Sequence, residues 1–331
     1  MIFSIIIPIF NENLKDFKRL LNSIADNNFK DYEVIIIDDT KYINSNKNFF
    51  KKLSNKFNFS YTNNKIKLGL SMSCNLGIQL SKGSYCIFLN CDNYIKNDFF
   101  SYANKKIKLE KLDILMTFNK VLNNKNIFGQ FVESQSKKNL INGNRINKLI
   151  NFNFISYTEG FIVKKNILIK SGAFYDHKLN YFKAGEDFIL AAELRKILNI
   201  KSSIDFHLTV KHIIPDTVTS FFHNRYIRGY GTPQINYYYL KKSLLECNFF
   251  FLAKNTIKII NLVFFIFFLK NCWSNYSKYV DKRYLTFSKF ILLQIFEDLT
   301  IIYGEIVSLF KINLLYRDRK LININDLNHI K

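Results

Sequence analysis

No two of the five cysteines in this chain form a CxxC pair, and none stands at ligand spacing from a histidine. That pattern argues against a structural zinc site and offers no disulfide framework. A reducing compartment fits Cys74, Cys86, Cys91, Cys247 and Cys272 best. The opening MIFSIIIPIFNEN has no charged leader and no small-residue cleavage site, so it does not read as a signal peptide. Long apolar runs are missing too. The most apolar segment, about 259–269, is broken by Asn261 and falls short of the ~20 residues that a spanning helix needs. Internal repeats and low-complexity tracts are absent. Acidic residues are scarce, 26 against 48 Lys and Arg, which leaves a formal charge of +22. Nucleic acid, an anionic membrane and a phosphorylated substrate are the partners such a charge suggests. No nucleic-acid-binding motif accompanies it. The lysines are scattered among abundant Asn, Ile, Phe and Tyr, which points to a compositional bias for most of the excess. A membrane-facing patch near the C-terminus stays open.

With 48% hydrophobic and 22% charged residues, the 331-residue chain can bury a full core. Residues 2–9 (IFSIIIPI), 32–39 (YEVIIIDD) and 84–90 (SYCIFLN) are short apolar runs rich in β-branched residues, the pattern of strands buried on both faces. Helical patterns at 14–28 and 70–82, and a polar helix near 45–56 followed by a short strand near 57–62, alternate with them. This alternation predicts βαβ units and a mostly parallel α/β sheet flanked by helices. Ligands in such sheets bind beyond the carboxyl ends of the strands. Pro8 to Asn11, Asp38-Asp39 and Asn90 to Asn93 then share one rim. A more strand-like stretch is expected over 112–165, a helix over 185–197 begun by Gly185-Glu186-Asp187, a strand over 202–211 and a basic, aromatic helical region over 216–246. Residues 248–270 and about 285–312 read as two long amphipathic helices that lie on a membrane or pack together.

FSIIIPIFNEN, VIIIDD, GLSMSCNLGIQLSKGSYCIFLNCDNYIKNDF and GEDFILAAELRK occur in an order that resembles glycosyltransferase family 2, with its GT-A fold. The resemblance spans roughly residues 1–235, and residues 236–331 form a helical appendage. It implies transfer of a sugar, with inversion, from a nucleotide-sugar donor to the hydroxyl of a glycan or lipid-linked acceptor. In position-by-position terms it implies that Pro8, Phe10, Asn11 and Glu12 border the nucleobase. Asp39, with Asp38 beside it, would accept from the imide N–H of uracil, since an ionised carboxylate is a pure acceptor. Asn75 would border the donor site.

The family's Asp-x-Asp-Asp strand end is changed here to Asn90-Cys91-Asp92-Asn93. Asp92 would hold a Mn²⁺ or Mg²⁺ bridging the diphosphate, Asn90 would reach a ribose hydroxyl, and Cys91 would point into the core. Hard cations accept one or two protein carboxylates plus phosphates and waters, so one carboxylate suffices with a weakened site. His212 would complete the metal or diphosphate site. Arg225 and Arg228 would neutralise the leaving group. Asp187 would be the catalytic base, and Glu186 would orient the loop or meet the acceptor. The QxxRW signature of processive synthases is missing, the single tryptophan being Trp273 in NCWSN. These features imply a non-processive enzyme of surface-glycan synthesis, peripheral at the cytoplasmic face of the membrane. A degenerate GT-A fold serving as a binding module is the alternative that Asn90 and Asn93 motivate.

Overall fold

The computed structural model describes residues 1–11, 13–40, 57–150, 159–177, 182–315 and 319–329. Glu12 and the polar helix expected at 45–56 lie outside them. Strand β1 (Phe3–Ile9) is buried along its whole length. Alternation sends Phe3, Ile5 and Ile7 to one face of the sheet and Ile6 to the other, which is why its apolar run is unbroken. Helix α1 (Leu14–Ala25), capped by Asn13, covers the first face with Phe17, Leu20, Leu21 and Ile24. Strands β2 (Tyr32–Asp38), β3 (Ser60–Asn63) and β4 (Tyr85–Phe88) run parallel to β1. Helix α2 (Gly69–Leu80) covers the second face.

Beyond β4 the sheet becomes mixed. Short β5 (Asn93–Ile95) leads to α3 (Phe99–Glu110) and β6 (Ile114–Val121). A helix, α4 (Ile127–Ile150), then fills much of the stretch expected to be strand-like. Its apolar residues are diluted by Asn, Lys and Ser, which hid the helical period. Strand β7 (Ile162–Lys164), α5 (Lys165–Ser171), β8 (Asp176–His177), α6 (Glu186–Arg195) and β9 (Ser202–His212) follow. The eight-stranded sheet has the order β3-β2-β1-β4-β7-β6-β9-β5. β7 pairs antiparallel with β4 and β6, and β5 antiparallel with β9.

The basic segment forms α7 (Val218–Gln234), which contains Pro233 and passes into a π-helical turn at Ile235–Tyr239. Proline lacks the donor a regular helix needs, so the ladder shifts there. The apolar segment of 248–270 is not one helix but two, α8 (Leu244–Val263) and α9 (Phe265–Tyr279), broken at Phe264. Helix α10 (Phe287–Leu315) packs along α7. A Cβ at Gly229 would sit 2.2 Å from the carbonyl oxygen of Ile301, and one at Gly304 2.3 Å from that of Tyr226, so only glycine permits this crossing. The chain then returns to the sheet. β10 (Leu321–Ile322) pairs antiparallel with β8, and Ile322, Ile324 and Leu327 enter the core beside α2. Among the described residues no helix is long and apolar enough to cross a membrane.

Candidate active site

The turn after β4 is built by an amide. Asn93 Oδ1 accepts from the Asn90 backbone N–H at 2.8 Å, and the Asn93 N–H donates to the Asn90 carbonyl at 3.0 Å. Asn93, fully buried, makes the turn, Cys91 enters the core, and the partly exposed Asp92 stands at its tip. The β5–β9 register sets Asn93 opposite His212, which carries the imidazole to the same place.

At the centre is Glu159, which the sequence reasoning did not single out. Its carboxylate accepts from Asn90 Nδ2 at 3.0 Å and Asn119 Nδ2 at 2.5 Å, and lies 3.4 Å from His212 Nδ1. Burial pushes this carboxyl up, but the hydrogen bond and charge of His212, with Arg228 and Asn90, outweigh it and hold it below its ordinary value. His212 shows the converse. Desolvation alone would lower it, yet Glu159, and then Asp92, keep the imidazolium favoured. The signal for Glu159 was a lone carboxylate in Thr158-Glu159-Gly160 ahead of an apolar run. Gly160 turns the chain with φ +72°, and a Cβ there would lie 2.4 Å from Val210 and 2.5 Å from the Thr117 hydroxyl. Gly160→Ala should therefore cost ~1–3 kcal/mol of stability in chemical denaturation, and displace Glu159.

The acidic pair opens α6, with Gly185 at φ +101° as its N-cap. Burial raises the Glu186 carboxyl and nearby Glu159 adds to the rise, while the Gly185 and Glu186 N–H groups and Arg228 oppose it. The Cys74 thiol on α2 is pushed up mainly by burial and further by the charges of Glu186 and Asp187. The charge of the exposed Arg228 is felt by Glu159, Glu186 and His212 alike.

Arg225, expected to neutralise the leaving group, is engaged on the other side of α7. It is buried, its Nε donates to Glu297 on α10 at 2.9 Å, and its guanidinium lies 4.2 Å from the Phe221 ring centre. One helical turn separates the two arginines, but Arg225 is buried in the α7–α10 interface while Arg228 is exposed. Asn75, expected to border the donor site, is engaged by the fold as well. It is fully buried, donating to the Phe174 carbonyl at 2.8 Å and accepting from the Phe174 N–H at 3.0 Å. Its amide is spent on tying α2 to the loop after α5. Asp38 also serves the fold, accepting from the Thr40 N–H at 2.9 Å and the Tyr61 hydroxyl at 2.6 Å.

Asp39 caps α2 from a distance: it accepts from Leu68 and Gly69 N–H groups at 2.7 and 2.8 Å and from Asn64 at 2.9 Å. A carboxylate has about four acceptor positions, so among the described residues one is left. Pro8 is buried in β1, whereas Phe10 is exposed at the rim with Lys67 Nζ 4.3 Å above its ring. Asn11, at φ +53°, donates its N–H to Thr40 Oγ1 at 3.0 Å.

Asp176, ten residues before Glu186, is a second residue that sequence reasoning passed over. Its Oδ1 accepts from the His177 and Phe182 N–H groups at 2.7 and 2.8 Å, and burial raises its pKa to about 7. Unfolded, it would ionise near pH 4. Between these values the native state binds the extra proton, so stability should fall as pH rises through this window and level off above about pH 7. Asp176→Asn keeps both acceptor bonds on Oδ1. It should remove this slope and raise Tm at pH 8 but not at pH 4.

Among the described residues no three His, Cys, Asp or Glu side chains form a group that could hold a metal. Asp92 and His212 fit such an ion only as two ligands, with Glu159 fixing the imidazole from its other nitrogen.

The family model for glycosyl transferase family 2 matches residues 4–177. The chain belongs to glycosyl transferase family 2. Curated relatives of this family 2 chain include the cholesterol galactosyltransferase of Borreliella burgdorferi, 27% identical over 112 residues, 34% of this chain and 31% of that protein. The poly(ribitol-phosphate) beta-N-acetylglucosaminyltransferase TarS of Staphylococcus aureus is 26% identical over 146 residues, 43% of this chain and 25% of TarS. The matches thus span less than a third of these relatives' lengths. Among solved structures, TarS 1–349 in complex with UDP superposes with TM-score 0.51 at 18% identity, covering 98% of this chain and 97% of that one. A mannosyltransferase of Pyrobaculum calidifontis in complex with GDP-Man and Mn²⁺ gives 0.54 at 11%, covering 96% and 88%. At such identities these likenesses show the fold: the mixed sheet of this family 2 chain is a GT-A fold, with a helical region following it.

Proposed function

We propose that this family 2 chain is an inverting, non-processive glycosyltransferase that moves a sugar from a UDP-linked donor to a hydroxyl of a glycan or lipid-linked acceptor in surface-polysaccharide synthesis. It would work at the cytoplasmic face of a membrane, as a GT-A unit over residues 1–235 with the rest as appendage. The observation that carries the reading is the cluster beyond the strand ends, where Glu159 is bonded to Asn90 and Asn119 and lies beside His212, with the charges of Asp92, Arg228 and Glu186 felt there and Asp187 following Glu186 at the start of α6. The nucleobase would lie against Pro8, Phe10 and Asn11, with Glu12 following, and its imide would meet the remaining acceptor position of Asp39. Asn90 and Arg228 would hold ribose and diphosphate. Asp187 would take the proton of the acceptor hydroxyl as its oxygen bonds the anomeric carbon and the bond to the diphosphate breaks. Glu186 would orient that acceptor. A Mn²⁺ or Mg²⁺ held by Asp92 and His212 would neutralise diphosphate charge. UDP is favoured by Asp39 and by the solved complex of TarS with UDP.

A binding module remains the second reading, since Asp39 is largely committed to α2 and Asn90 replaces a carboxylate. Thermal unfolding with UDP, GDP, dTDP or CMP, each with and without Mn²⁺, tests both. Nucleotide at a hundredfold excess over Kd should add ~2.7 kcal/mol. A UDP shift that needs the metal supports the donor site, and UDP release from a UDP-sugar with an acceptor supports the transferase. No shift with any nucleotide favours the module.

A further inference from the structure

We propose that the break between α8 and α9 is a membrane-insertion tip for anionic lipid bilayers, an inference that rests on the membrane reading above and names the segment responsible. At the break, Phe264 (φ −84°, ψ 63°) ends one helix and opens the next. Phe264, Phe265, Ile266 and Phe267 expose 58, 47, 81 and 62% of their surfaces, four consecutive apolar side chains at a helix corner. A soluble monomer seldom displays such a contiguous patch without a partner for it.

Charge selects the occupant. From Cys247 to Val280 the sequence holds four lysines and no acidic residue. Lys254 and Lys258 pair with Glu305 and Asp298 on α10, whereas Lys270 and Lys278 are exposed on α9. Lysine side chains near an anionic bilayer are attracted to its surface.

The order along α9 matches the depth profile of a bilayer surface. Apolar residues stand at the tip, Lys270 follows one turn on, and the half-exposed Trp273 lies about 10 Å from Ile266 at 1.5 Å per residue. Tryptophan prefers the headgroup level, and interfacial segments bury ~5–10 Å deep. The corner therefore wets the hydrocarbon while Trp273 and the lysines meet the headgroups. α10 adds a second exposed apolar row, Leu292, Phe296, Leu299, Tyr303, Ile306 and Phe310, at steps of three and four. Its acids Asp298 and Glu305 pair with Lys258 and Lys254 of α8.

Trp273 is the sole tryptophan and thus a built-in reporter. The full chain is mixed with vesicles of phosphatidylcholine alone or with 30 mol% (about one lipid in three) phosphatidylglycerol, a composition that supplies the negative surface potential. Emission should shift blue and be quenched by brominated acyl chains with the anionic vesicles. The triple variant Phe264→Ser, Ile266→Ser, Phe267→Ser should bind at least tenfold more weakly with unchanged Tm. Should it fail to fold, Lys270→Glu with Lys278→Glu keeps the apolar tip and should abolish the preference for anionic vesicles. Binding by the wild type that both variants retain would overturn the tip and leave the membrane reading intact. No binding by the wild type would overturn both. A dimer in light scattering that the triple variant dissociates would overturn the tip in favour of a second copy of the chain.

Discussion

Asp187→Asn should reduce sugar transfer by about 10²–10⁴-fold, the range general-base removal produces, while UDP still raises Tm as in the wild type. The substitution is nearly isosteric and leaves the α6 N-terminus without one favourable charge, worth only ~0.3–1 kcal/mol. Folding should survive, so rate and stability separate cleanly. Glu186→Gln is the needed companion. Burial and Glu159 raise the Glu186 carboxyl, a property a base could also use. If Glu186→Gln abolishes transfer and Asp187→Asn spares it, the proton goes to Glu186 and the assignment of roles is reversed. Loss of UDP binding in Asp187→Asn would instead move that residue into the donor site.

The second large effect concerns the joint between the sheet domain and the helices. Arg225→Met should cost ~3–5 kcal/mol, because Glu297 is left charged and buried without its cation. At 2–4 °C per kcal/mol for large domains, Tm should fall by the order of 10 °C. Glu297 also accepts from Gln135 at 2.5 Å, so α4, α7 and α10 meet at this one carboxylate. The double variant Arg225→Met, Glu297→Leu should recover most of the loss, since it removes both charges from an apolar interface. Recovery in the double variant with donor binding unchanged would assign Arg225 to the joint. A weaker UDP shift in a stable Arg225 variant would return it to the donor site.

The two arginines show how far a sequence carries such an argument. Their spacing and the basic, glycine-containing segment are visible in HNRYIRGYG, but which one faces a ligand depends on what α10 brings to the other side of α7. Glu297 lies seventy-two residues away. Asn75 differs in the same way: its amide is pinned to Phe174 across the sheet face, a partner no local pattern announces. Glu159 was missed because its neighbours, Asn90, Asn119 and His212, come from three separate strands or their ends.

What the sequence determined by itself was local and periodic. The apolar runs of β1, β2 and β4, the helices behind them, and the Gly-Glu-Asp start of α6 follow from alternation, helical spacing and the conformational licence of glycine. Collinear motifs carried the family and its fold. Tertiary structure decided which polar groups remain available to a ligand. Asn75 has both ends of its amide engaged by Phe174, and Asp38 and Arg225 are drawn to Tyr61 and Glu297, because a buried polar group tends to find a partner wherever the fold supplies one. Tertiary structure also divided the apolar segment at Phe264 and left that corner uncovered. Hydropathy records how apolar a residue is, and only packing decides whether another part of the chain reaches it.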